Sequence, residues 1–109
     1  MTVSERFLKY VSFGTNSDEN SETCPSTASQ LVLAEYLAVE LKAIGLDEVE
    51  IDKDGYVYGV IPATEGREND PSIGFVAHMD TSSDVKGDEI KPQIVKYQGG
   101  DIKLNDKVS

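Results

Sequence analysis

The stretch IGFVA at residues 73–77 constrains the fold of this chain more than any other. It is apolar at every position, so it has no face suited to water. A short run of this kind reads as a central strand, covered on both sides and paired along both edges. The rest of the chain must then supply strands to flank it and helices to cover it.

Two helices are predicted. Thr2-Val-Ser-Glu5 has the form of a capping box, and Val3, Phe7, Leu8 and Val11 follow helical spacing. A short amphipathic helix is expected over residues 3–13, ended by Gly14. The segment TNSDENSETCPST is a polar loop, mobile by composition. Ser26 or Thr27 then caps a second helix, with Gln30 placed to close a box at Thr27. Leu33, Leu37, Leu41 and Ile44 share one face, and Gly45 is the stop signal, which gives a helix over residues 27–44. Packing Leu33, Leu37 and Leu41 on a sheet contributes about 5–9 kcal/mol before entropy is subtracted.

Val49 and Ile51 alternate with Glu50 and Asp52 as in a half-exposed strand. Asp54-Gly55 turns the chain, and YVYGVIPA returns, completing a β-hairpin. Residues 78–92 are irregular, QIVKY at residues 93–97 is a weak strand, and a polar tail follows. The order helix, helix, hairpin, strand predicts an α/β fold: two helices packed on a partial mixed sheet. That sheet looks unfinished, because few segments after Ala77 can flank a central strand. Bare edges and apolar surface are therefore expected to cause self-association.

Twenty acidic residues against ten basic ones give a formal charge of −10 in 109 residues. Such a surface repels nucleic acid and anionic membranes. No apolar run approaches the length of a membrane span, and no signal peptide is apparent, so a cytoplasmic protein is expected. The single cysteine, Cys24, fits a reducing compartment and reads as a plain thiol.

The chain's one histidine, His78, ends the apolar run, and Asp80 follows two positions on. Ligands gather at the carboxyl ends of strands in open α/β sheets. In extended chain, residues i and i+2 point to the same side, so both groups face one cleft while Met79 points away. One imidazole nitrogen can then bind a metal while the carboxylate holds the other. The same pair serves equally as a structural hydrogen bond, and a zinc site needs three or four protein ligands. Two rival motifs fail. DKDG at residues 52–55 lacks the calcium loop's later glutamate, because Ile61 stands in its place. The tyrosines of GYVYG read as hairpin neighbours rather than a stacking platform.

ERFLKYVSFGTNS, CPSTASQ, SIGFVAHMDTSSDVKG and KPQIVKYQGGDIKL occur in this order. Together they resemble the amino-terminal part of the tripeptidase branch of the M20 metallopeptidase family, over nearly the whole chain. Gly14 departs from the aspartate that branch often has before Thr15. The resemblance implies a zinc-peptidase catalytic domain with an inserted lid, two zinc ions and a glutamate base. It implies that His78 is a zinc ligand and that Asp80, in the catalytic site, orients the imidazole without binding metal. It implies release of the amino-terminal residue from a tripeptide substrate. The family's remaining ligands, its base and its lid lie further along than Ser109. Residues 1–109 are thus expected to be the amino-terminal part of the catalytic domain, inactive alone and without stably bound zinc. Another M20 peptidase or deacylase, or a small binding domain with a structural His78, stays open beside this reading.

Overall fold

The computed structural model describes residues 1–104; the last part of the polar tail lies outside the described residues. Its elements run α1 (Val3–Tyr10), α2 (Ser29–Ala43), β1 (Asp47–Ile51) and β2 (Val57–Val60). The capping box of α1 forms as its sequence predicts. The Glu5 amide donates to Thr2 Oγ1 at 3.2 Å and the Thr2 amide to Glu5 Oε2 at 2.6 Å. The helix stops at Tyr10, however, and residues 11–13 form a turn.

The second helix begins two residues later than expected, and no side chain caps it. Thr27 and Ser26 do other work. Thr27 Oγ1 donates to the Asn16 carbonyl at 2.8 Å, and Ser26 Oγ accepts from the Asp18 amide and from Gln30 Nε2. At its far end the helix closes as its glycine predicts. Gly45 adopts a φ of +99°, its amide bonds the Lys42 carbonyl, and the Leu46 amide reaches back to the Leu41 carbonyl. This pair of bonds is a Schellman cap, and it needs the left-handed conformation that glycine adopts without strain.

α2 organises what core the described residues have. Leu33, Ala34 and Ala38 are buried, Leu37 and Leu41 are half-buried, and Ile44 is exposed. The covered face is thus turned from the leucine stripe toward the two alanines. On one side α2 meets the hairpin, where an added Cβ on Gly55 would stand 2.9 Å from Leu31 Cδ2. Gly55 also carries a φ of +86°, and its turn is tied by Asp52 Oδ1, which accepts from the Asp54 and Tyr56 amides. The register slips between Asp47 and Glu50, where Glu48 takes a positive φ of 49° and forms a bulge. Tyr56, just ahead of β2, stacks with Tyr58 on the strand, ring centroids 6.5 Å apart.

On its other side α2 meets α1 through long side chains. Arg6 pairs with Glu40 at 2.6 Å, Tyr10 donates a hydrogen bond to Glu40, and Tyr10 and Phe13 pack against Tyr36. Burial, and then the bond to Glu40, push the Tyr10 hydroxyl above its ordinary pKa of 10.0. A folded pKa raised above the unfolded one means a contribution that is complete below the unfolded value and lost as pH rises through the folded one. Tyr10's share of the α1–α2 contact should therefore be lost only above pH 10.0, and Tyr10→Phe should remove that alkaline component. Urea midpoints of both proteins measured across the alkaline range check this.

The expected mixed sheet is absent among the described residues. The only sheet among the described residues is the two-stranded antiparallel hairpin. Residues 73–77 pair with nothing, and Ile73, Phe75 and Val76 are 81%, 94% and 101% exposed. QIVKY is not a strand either, with Ile94 and Val95 also exposed. A strand is stable only with a hydrogen-bonding neighbour, and no described segment pairs with either run. These extended stretches raise the radius of gyration to 17.5 Å, against about 13 Å for a close-packed chain of this length.

Candidate functional site

His78 and Asp80 meet as their spacing predicts, although no strand carries them. His78 Nδ1 lies 2.8 Å from the Asp80 backbone oxygen and 3.0 Å from Asp80 Oδ1. A carbonyl and an ionised carboxylate only accept hydrogen bonds, so Nδ1 carries the proton. In a neutral imidazole of this tautomer the lone pair is on Nε2. The His78 side chain is 84% exposed and that of Asp80 42% exposed, so Nε2 is open to a ligand. Met79 between them is half-buried. Among the described residues, no three histidine, cysteine, aspartate or glutamate side chains converge as metal ligands would. The residues present thus fit one ligand position with its orienting partner, rather than a whole metal site. Cys24 is exposed and unbridged, with its thiol 3.9 Å from the Asp54 carbonyl.

Sequence reasoning missed what holds this pair to the folded half of the chain. Residues 15–17, read as part of a mobile loop, are fixed. Thr15 is buried, and Asn16 forms an isolated parallel bridge with Thr81. The Thr81 amide donates to the Thr15 carbonyl at 3.0 Å, and the Ser17 amide donates to the Thr81 carbonyl at 2.9 Å. Asn16 Nδ2 donates to the carbonyls of Ser82 and Val85 at 3.0 and 2.8 Å, while its Oδ1 accepts from the Gly87 amide at 2.6 Å. No periodicity marks these residues, because their partners stand more than sixty positions away. The one local signal was a concentration of side chains able to bond backbone groups.

No family model matches the chain. Curated proteins do. It is 56% identical over 104 residues to the peptidase T of Caldanaerobacter subterraneus, a match that takes in 94% of this chain. In sequence the chain is a relative of peptidase T. The peptidase T of Clostridium acetobutylicum is likewise 56% identical over 104 residues, and that of Brevibacillus brevis 51% identical over 108. The chain spans about a quarter of the length of these relatives, 25%, 25% and 26% in turn. Matches to peptidase T of this extent include both the 15–17 and the 78–87 segments. None of the described helices is long and apolar enough to cross a membrane.

Proposed function

We propose that this chain is the amino-terminal part of the catalytic domain of a zinc-dependent tripeptide aminopeptidase of the M20 type. One observation carries the reading: the Asp80 oxygens fix the His78 tautomer so that an exposed Nε2 presents its lone pair. That is the arrangement of a metal-ligating histidine and its supporting carboxylate. His78 would hold the metal through Nε2. Asp80 would keep the ring turned and raise its basicity. Zinc, when bound, polarises a scissile carbonyl and acidifies water. The relatives' name, peptidase T, supports a peptide as the substrate. A cytoplasmic setting accords with the lone free cysteine.

The direct test replaces the matching quarter of the Caldanaerobacter peptidase T with these 109 residues. The chimera should hydrolyse tripeptides from the amino end and lose that activity on chelation. A well-folded chimera with no such activity would refute the reading. The 109 residues alone should bind zinc weakly and without fixed stoichiometry, and should hydrolyse no peptide. One imidazole beside one carboxylate leaves the coordination open. Calorimetry giving one tight zinc per monomeric chain would contradict this. The exposed run at residues 73–76 should also make the chain self-associate at high concentration, and light scattering showing a strict monomer would rule that out.

A further inference from the structure

The His78–Asp80 pair lies in a half of the chain with little regular structure, yet the chain just after it is held in place. The connection runs through a single peptide group. The carbonyl of the Asp80–Thr81 peptide accepts from the His78 ring, and the N–H of the same peptide donates to the Thr15 carbonyl. The plane of that peptide therefore sets where one of the ring's two acceptors points.

Beyond Thr81 the chain turns back, and the Asn16 amide sits inside the turn. It meets two carbonyls and one N–H with the donor and acceptor that each requires. Flipping the amide would break all three bonds, so the side chain fits in one orientation only. Asn16 is itself anchored, because its own carbonyl accepts from Thr27 Oγ1 just ahead of α2. Gly87 supplies an independent sign that the fit is close. A Cβ there would lie 2.6 Å from Asn16 Oδ1 and 2.9 Å from Thr81 Oγ1. Two short side chains, one of them tied by three bonds, leave no room for it.

We propose that Asn16 is the positioning residue of the His78–Asp80 pair. It clips the 81–87 turn to the start of α2 and so fixes the peptide that holds the imidazole. Asn16 touches neither His78 nor any metal; it acts through the Thr81 backbone. The consequence for metal binding rests on the function proposed above. The placement of the ring does not.

Two variants of the 109-residue chain test it from opposite sides. Asn16→Ala removes all three bonds, and Gly87→Ala leaves Asn16 in place but forces a methyl group against it. Each should lower hydrogen-exchange protection of the Gly87 and Thr81 amides by about tenfold or more. Protection of the Asp52 amide, which bonds the Tyr56 carbonyl in the hairpin turn, should be unchanged. Nitrogen NMR of the His78 ring should show the proton fixed on Nδ1 in the parent and a smaller Nδ1 fraction in each variant, where Asp80 Oδ1 remains as the second acceptor. If Asn16→Ala also strips protection from the hairpin, Gly87→Ala decides. An Nδ1 proton and Gly87 protection identical to the parent's in the well-folded variant would overturn the proposal. In the peptidase T chimera, Asn16→Ala should weaken zinc binding by about tenfold. Were the function proposed above wrong and this inference right, the NMR and exchange changes would persist while the well-folded chimera hydrolysed no tripeptide. In the reverse case, His78→Ala would abolish activity and Asn16→Ala would change nothing.

Discussion

On the function proposed above, replacing His78 with alanine in a full-length peptidase T that carries this sequence should lower its zinc affinity by about a hundredfold or more, and its peptide hydrolysis with it. The expectation follows from Nε2, whose lone pair is free because Nδ1 keeps its proton and donates it to the Asp80 oxygens. Asp80→Ala should cost less, toward the lower end of the ~10–100-fold range for groups that orient a ligand. The Asp80 backbone oxygen, 2.8 Å from Nδ1, survives that substitution and still holds the ring. Zinc affinity measured by competition with a chromogenic chelator, beside initial rates on a tripeptide, separates the two variants. If His78→Ala kept full zinc content and full rate, the histidine would not be a ligand.

Leu33→Ala should be the most damaging truncation in α2. Leu33 is 5% exposed and is the largest of the three buried apolar residues among those described. Removing a buried leucine costs about 2–4 kcal/mol, from the lost transfer energy and the cavity left behind. Ala34 and Ala38 beside it are too small to fill the gap. Val32→Ala, on the 55% exposed side of the same helix, should change stability by less than about 0.5 kcal/mol. Urea unfolding followed by helix circular dichroism measures both. Equal midpoints for the two variants would mean that the helix face was misassigned.

The elements legible in the sequence are those whose causes are local. The Thr2–Glu5 capping box, the Gly45 stop and the Asp54-Gly55 turn each depend on residues within a few positions of one another, and each forms. The pairing of His78 with Asp80 is equally local, because the two groups are separated by one residue. The start of α2 was less legible. Ser26 and Thr27 are good capping residues, but their hydroxyls bond the 16–18 segment and Gln30 instead.

What the sequence alone determined is therefore the set of segments and their chemistry: two helices, a hairpin, an apolar run and a histidine with its carboxylate. Tertiary structure decided the rest. A strand exists only through its neighbours' backbone groups, and residues 73–77 have none among the described residues, so the run that constrained the fold most strongly on paper lies unpaired and exposed. Asn16 is the opposite case. Nothing adjacent in sequence marks it, yet folding carries the Ser82, Val85 and Gly87 backbone to its amide, because an asparagine in a polar loop bonds whichever peptide groups the fold brings within reach.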